Sequence, residues 1–249
     1  RHIGIMKKSI LLVLLYLLIQ TLAGGVLTLL ISQWSGVDRE FAIIIALLVA
    51  DVIMAGILLQ QGYLSDKRLS HPTTAKFLCW TFLAGISAIF ISDTISRMTD
   101  FMPNWLESTF TNMEGTWMGV LAIAIVGPIL EEMLFRGAIT SVLLKAYTPK
   151  KAIIYSALIF GIFHINPAQI LTAFLLGLLL AWLFYTTRSL IPGILIHILN
   201  NGLSVYFTRT YPEADTLADL MGWMPYGICL ILAITLLALS IWQLDKKKG

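Results

Sequence analysis

The sequence predicts an all-α polytopic membrane protein with about eight transmembrane helices. Of its 249 residues, 58% are hydrophobic and only 12% are charged, whereas a soluble domain carries about 25% charged residues. The mean hydropathy is +0.85. The apolar residues are grouped into runs of about 20, which is the length that crosses a hydrocarbon core of about 30 Å. Composition and run length therefore predict the same fold class.

Eight apolar runs predict the helices. The first begins like a signal peptide but is long enough to span, so it is predicted to be a retained helix. Pro128 is predicted to kink the fourth, where freed carbonyls would line a cavity. The fifth is short and ends at the turn signal Asn166-Pro167. The predicted helices are residues 9–32, 41–61, 76–96, 115–146, 152–166, 169–187, 189–207 and 223–243.

The loops predict the orientation. In the eight-helix layout, thirteen Lys and Arg residues lie on one side and three on the other, with Arg136 inside a span. Cytoplasmic loops carry this excess, so both termini are predicted to be cytoplasmic, in a bacterial cytoplasmic membrane. Residues 101–106 form either a short interfacial segment or a loop with interfacial aromatics. The net charge of +3 gives no reason to expect a nucleic-acid partner.

The whole chain, residues 1–249, is predicted to be one transmembrane domain, since no repeat or soluble segment is visible. Residues 1–5 are predicted to be an added leader in front of a natural start at Met6. Two cysteines occur, Cys79 and Cys229, and their spacing predicts neither a disulfide framework nor a metal site.

Charged residues lie inside the fourth predicted helix. Glu131, Glu132 and Arg136 are surrounded in the sequence by apolar residues, and an intramembrane charge costs at least about 2.5 kcal/mol, which makes it a functional candidate. Glu132 and Arg136 are spaced i,i+4 and are predicted to form an ion pair. That pair leaves Glu131 without a partner, and nothing purely structural requires a second buried carboxylate.

Two further predicted helices carry His164 and the pair His197 and Asn201. At 1.5 Å per residue, Glu131, His164 and Asn201 lie about 18 to 21 Å from the inner surface, and His197 lies about 12 Å from it. These residues are therefore predicted to share a layer near the middle of the membrane and to converge on one cavity.

The remaining acids within the spans are Asp51 and Asp93. Asp93 is predicted to reach the interface. Asp51 either supports the site or caps a neighbouring helix, and the residues leave both roles open.

Three motifs lie in separate predicted helices. They are Glu131-Glu132-x-x-x-Arg136, Phe160-x-x-x-His164 and His197-x-x-x-Asn201. In type and order they resemble the motifs of the CAAX protease and bacteriocin-processing (CPBP, or Abi) family, over roughly residues 115–205. The resemblance implies an eight-helix intramembrane endopeptidase, similar to the type II CAAX prenyl proteases, that depends on glutamate rather than metal. It also implies a membrane-associated peptide or protein substrate and leaves open whether this substrate is lipidated.

The motif residues favour hydrolysis by an activated water, because no Ser or Cys near them has a matching base. Glu131 is predicted to be the general base, with His164 holding the same water. His197 and Asn201 are predicted to donate hydrogen bonds to the developing oxyanion. Phe160 and the Glu132–Arg136 pair are predicted to support the cavity.

Two alternative functions remain open from the residues. Two His and one Glu form a valid zinc set, but the HExxH spacing is absent and Arg136 disfavours a cation, so no cofactor is predicted. The first alternative function is a non-catalytic bacteriocin-immunity or peptide-binding membrane protein. The second is a zinc-dependent intramembrane protease. A transporter would also bury charges, but no inverted repeat is present.

Overall fold

The computed structural model describes residues 2–34 and 38–246, and within these ranges the chain forms helices and no strands. The helices are α1 (His2–Trp34), α2 (Arg39–Gln60), α3 (Ala75–Met98), α4 (Glu107–Glu114), α5 (Trp117–Leu143), α6 (Pro149–Phe163), α7 (Pro167–Thr187), α8 (Ile191–Thr210), α9 (Leu217–Met221) and α10 (Trp223–Asp245). A 3₁₀ turn, Lys67–Ser70, lies between α2 and α3. Each of the eight predicted helices has a counterpart.

Six of these helices are long and apolar enough to cross a membrane: α1, α2, α3, α5, α7 and α10. The prediction of a polytopic all-α membrane protein is therefore confirmed. Helix α6 has 15 residues and measures about 22 Å at 1.5 Å per residue, less than the hydrocarbon thickness. Helix α8 carries polar residues along its length. The count of eight spans and the cytoplasmic termini stay predictions.

Some predictions concern residues that lie at or beyond the limits of the described ranges. Arg1, Lys247 and Lys248, which count toward the charge asymmetry, lie outside the described residues. Of the predicted leader, residues 2–5 form the first turn of α1. Residues 101–106 form a turn-rich loop before α4 and not a helix.

Helix α5 departs from regular α geometry on both sides of the glutamates. Two π-helical segments, Ala122–Val126 and Met133–Thr140, flank the turn Gly127–Glu132. In the first segment the Gly127 amide donates to the Ala122 carbonyl. The next residue, Pro128, has no N–H to donate to the Ile123 carbonyl in the same register. Next to Pro128, where the sequence predicts a kink, the helix therefore contains a π segment, and the Ile123 carbonyl needs another hydrogen-bond donor.

Small residues bring the site helices together. Helix α6 packs against α7, and α8 packs against α3, α5 and α7. A Cβ atom on Gly161 of α6 would lie 2.9 Å from the carbonyl oxygen of Ile170 in α7, which shows how closely these two backbones approach. Close contact through small residues is the usual basis of helix packing in membranes. Helix α6 also packs against α5, which carries the first motif, and Phe160 of the second motif meets the ring of His197 of the third.

Candidate active site

Glu132 lies at the centre of the site. Its Oε1 atom accepts a hydrogen bond of 2.9 Å from Nη1 of Arg136 and lies 2.9 Å from Nδ1 of His197. The side chains of Glu132 and Arg136 are 0% and 1% exposed, respectively. The i,i+4 ion pair is thus present within α5, and the same carboxylate also joins α5 to α8. Burial makes both contacts necessary, since an unpaired charge here would be costly.

Arg136 has two further contacts that compensate its burial. Its Nη2 atom donates to the Gly177 carbonyl of α7 at 3.3 Å. Its guanidinium carbon lies 4.4 Å from the centre of the Phe160 ring, which is a cation–π distance. Phe160 also meets the rings of His164 and His197 edge-on, at centroid distances of 4.9 and 5.7 Å. Phe160 therefore packs against the residues that all three motifs contribute.

Glu131 lies beside this cluster at the edge of the buried region, with a side chain that is 18% exposed. Its Oε2 atom is 3.6 Å from Nε2 of His197. Among residues 2–34 and 38–246, this buried oxygen has no hydrogen-bond donor. His197 thus stands between two carboxylates, with Nδ1 toward Glu132 and Nε2 toward Glu131.

His164 follows the last residue of α6 and is half-buried. Its Nδ1 atom lies 2.8 Å from the Phe160 carbonyl oxygen. Because a carbonyl only accepts, Nδ1 carries the hydrogen, and in the neutral ring Nε2 is left as an acceptor. The second motif therefore orients its own histidine through the backbone.

Asn201 contacts α5 in a way that the sequence did not predict. Its Nδ2 atom donates to the Ile123 carbonyl at 2.9 Å, and its Oδ1 accepts from Asn200 at 3.0 Å. The Ile123 carbonyl is the one to which Pro128 cannot donate, so Asn201 satisfies it from another helix. This bond uses one of the two amide hydrogens, and the predicted oxyanion role falls to the other.

Asp51 forms a buried pair with a residue that sequence reasoning missed. Its Oδ1 accepts a hydrogen bond of 2.5 Å from the Tyr16 hydroxyl of α1, and both side chains are buried. Asp51 is bonded to a side chain and not to the amides of a helix end, so the structure does not show it capping a neighbouring helix. Nothing in the sequence distinguishes Tyr16 from a core aromatic residue.

Asp93 lies in a separate network. It accepts hydrogen bonds from the Leu217 amide at 3.1 Å and from the Tyr226 hydroxyl at 2.9 Å. One turn further along α3, Arg97 pairs with Asp219 at 3.0 Å. That hydrogen bond lowers the pKa of Asp219, which lies in α9 outside the spans. These contacts tie α9 and α10 to α3 and place Asp93 outside the catalytic set.

The absence of a side chain at Gly193 of α8 leaves room for the Glu132 carboxylate. A Cβ atom at Gly193 would lie 2.7 Å from Glu132 Oε2, and Glu132 is held by Arg136 and His197. We expect Gly193→Ala to displace the carboxylate and to lower activity about 100-fold, the usual cost of a misplacement of about 1 Å. Cleavage kinetics check this, with Gly202→Ala as control, because a Cβ there meets nothing within 4 Å. Equal activity of the two variants would contradict the expectation.

The arrangement of the possible metal ligands is relevant to the zinc alternative. Within the part of the chain that the structure describes, no three His, Cys, Asp or Glu residues are arranged to hold a metal ion. A catalytic zinc needs three protein ligands and an open position. Of the nearest candidates, Glu132 and His197 are bonded to each other, and Glu132 also binds Arg136.

The fold and the site define a multi-pass membrane protein with a buried carboxylate, histidine and arginine cluster. Residues 113–203 match the family described as type II CAAX prenyl endopeptidase Rce1-like. The chain is also 26% identical, over 229 residues, to the membrane-embedded CAAX protease MroQ of Staphylococcus aureus (strain USA300). The aligned segment covers 83% of this chain and 91% of that protein. No solved structure matches.

These matches support the assignment of the chain to the CPBP/CAAX protease family and confirm the resemblance of its motifs. They support a peptidase of the hydrolase class in a multi-pass bacterial membrane protein, with the lipid bilayer and a peptide substrate as its partners.

Proposed function

We propose that this protein is an intramembrane endopeptidase that hydrolyses a peptide bond with a water molecule activated by Glu131. The observation that carries the proposal is the state of Glu131. Its Oε2 atom is buried, is 3.6 Å from His197 Nε2, and has no hydrogen-bond donor among the described residues. Glu132 Oε2 also lacks a donor, but Glu132 Oε1 is bonded to Arg136 and His197. A general base needs an acceptor that is free to receive the proton of water.

In the proposed reaction, the water oxygen attacks the peptide carbonyl carbon while Glu131 takes a proton from the water. The tetrahedral intermediate then collapses, the C–N bond breaks, and the leaving amine receives the proton. His164 supports the activation of the water, because its Nε2 is a free acceptor and the Phe160 carbonyl orients its ring. A water that donates one hydrogen to Glu131 and one to His164 would be held in a defined orientation.

The oxyanion requires donors that are in place before the reaction. The second amide hydrogen of Asn201 is one proposed donor, and His197 is the other. Glu132 orients His197 through Nδ1, and Arg136 neutralises Glu132. This division of roles gives the second glutamate a positioning function and leaves the chemistry to the first.

The proposed substrate is a membrane-associated peptide or protein that reaches the site within the bilayer, including CAAX-type prenylated ends. The test compares the membrane peptides of cells that contain either the wild-type protein or Glu131→Gln. We expect intact substrate to accumulate with Glu131→Gln. Synthetic versions of that substrate, with and without a prenyl group, then show whether the lipid is needed. If Glu131→Gln preserved the cellular phenotype, binding would replace catalysis as the function.

We expect cleavage to be independent of metal. Chelation with EDTA or phenanthroline should leave the rate unchanged, because no three His, Cys, Asp or Glu of the described residues are arranged to hold a metal ion and Arg136 places a positive charge beside Glu132. Metal analysis of the purified protein should find well below one zinc per chain. A chelated enzyme that lost activity and regained it with added zinc would instead establish the zinc mechanism.

A further inference from the structure

The turn after α6 has an unusual backbone conformation immediately after His164. The next residue, Ile165, has a φ of +58°, which is rare for a β-branched residue. The residue that follows a helix end commonly has a left-handed conformation, but it is usually glycine. Across Ile165, the Asn166 amide donates to the His164 carbonyl at 2.6 Å. Such a strained turn persists only when its surroundings maintain it.

Asn166 is the residue that joins this turn to its surroundings. It is fully buried and precedes α7, at a position where an Asn side chain usually accepts from the first helical amides. Here it makes no such bond. Its Oδ1 accepts from the Trp105 amide at 2.9 Å, and its Nδ2 donates to Asn104 Oδ1 at 2.8 Å. Both ends of the amide are therefore bonded to the loop that precedes α4.

That loop, residues 101–106, is called the aromatic loop here. It also accepts one hydrogen bond from α7. The Ala168 amide in the first turn of α7 donates to the Pro103 carbonyl at 3.3 Å. The loop thus caps the first turn of α7, and the Asn166 side chain in turn is hydrogen-bonded to the loop. Its side chains Phe101 and Trp105 are 81% and 65% exposed, as expected of aromatic residues at a membrane interface. Residues 101–106 lie outside the 113–203 segment that matches the family.

We propose that Asn166, held by Asn104, is a positioning residue that keeps His164 in place for hydrolysis. The proposal rests on the proposed function, because it concerns the histidine that holds the water. Without the two side-chain hydrogen bonds of Asn166, Ile165 relaxes toward a negative φ and the end of α6 moves. His164 moves with it, and a displacement of about 1 Å at a reacting group lowers a rate about 100-fold.

The first test measures the turn without using activity. Hydrogen exchange of residues 160–166 is followed in lipid nanodiscs for the wild type, Asn104→Ala and Asn166→Ala. The matched control is Asn112→Ala, which replaces an exposed asparagine of α4 whose Nδ2 donates to Glu40 Oε1 at 3.5 Å. Asn104→Ala and Asn166→Ala are called the clamp variants, because each removes a side-chain hydrogen bond between Asn166 and the aromatic loop. We expect faster exchange at the Asn166 amide in both clamp variants and no change in the control. Unchanged exchange in Asn104→Ala would overturn the proposal.

The second test measures cleavage of the substrate peptide. We expect both clamp variants to lower kcat by about 10- to 100-fold with little change in KM. Ile165→Gly, introduced into Asn166→Ala, should recover part of the loss, since glycine adopts a positive φ without strain. Asn104 is exposed, so Asn104→Ala decides the question if Asn166→Ala does not fold.

Three results in the kinetic test would overturn the proposal. A rise in KM alone would mean that the aromatic loop contacts the substrate. A lower thermal stability with an unchanged kcat would mean that the hydrogen bonds between Asn166 and the aromatic loop are only structural. Wild-type kcat in both variants, with an inactive Glu131→Gln, would leave the proposed function standing and remove the positioning role. If Glu131→Gln were fully active, the proposed function would fail, and hydrogen exchange alone would decide whether the clamp holds His164.

Discussion

Glu131→Gln is expected to abolish peptide cleavage while the helix bundle remains folded. The substitution keeps the shape of the side chain and removes its basicity, and a general base contributes about 10²- to 10⁴-fold to a rate. The Oε2 atom of Glu131 has no hydrogen-bond donor among the described residues, so its replacement by an amide removes no hydrogen bond from that atom. The rate with purified protein in liposomes should fall by at least about 10²-fold, with an unchanged thermal midpoint.

The control for this variant is Glu107→Gln, an exposed acid in the first turn of α4. It makes the same chemical change away from the site and should retain the wild-type rate. Wild-type cleavage by Glu131→Gln would show that another group activates the water. A loss of folding in Glu131→Gln would contradict the view that this carboxylate is free of structural bonds.

Arg136→Ala is expected to be the most destabilising single substitution. It leaves Glu132 fully buried without its cation, and removal of one partner from a buried ion pair costs about 3–5 kcal/mol. The change also removes the bond to Gly177 and the contact with the Phe160 ring. Reversible unfolding in detergent or the thermal midpoint measures the loss. Activity should fall as well, because a Glu132 carboxylate without its cation shifts or takes up a proton, and His197, which is bonded to it, is displaced.

Two further variants make the Arg136 result decisive. Arg68→Ala removes an arginine from an exposed pair with Asp66 and should leave stability unchanged, because exposed pairs contribute little. Glu132→Gln, combined with Arg136→Ala, removes the stranded charge and should restore part of the stability without restoring activity. An Arg136→Ala protein as stable as the wild type would refute the role of the ion pair.

The helices and the intrahelical ion pair were predictable because each depends on residues that are near in sequence. Run length and composition predict where a helix lies. The spacing of Glu132 and Arg136 places them on one helix face before any partner helix is known. The depth of the motif residues follows from the helical rise alone. These predictions require no knowledge of how the helices rotate against one another.

The contacts between helices were not predictable from the same pattern. The bond from His197 to Glu132, the bond from Tyr16 to Asp51 and the bond from Asn201 to Ile123 each join two helices. In a soluble helix, the apolar stripe shows which face is buried. In a membrane helix, the lipid-facing side is as apolar as the core side, so this signal is weak.

By itself, the sequence determined the fold class, the positions of the long helices and the set of motif residues. Only the tertiary structure decided that Glu132 serves both Arg136 and His197, and that Glu131 stands beside them without a donor among the described residues. The physical reason is the difference between the two kinds of contact. Helical periodicity determines neighbours within a helix, whereas neighbours between helices depend on close packing at small residues such as Gly161 and Gly193.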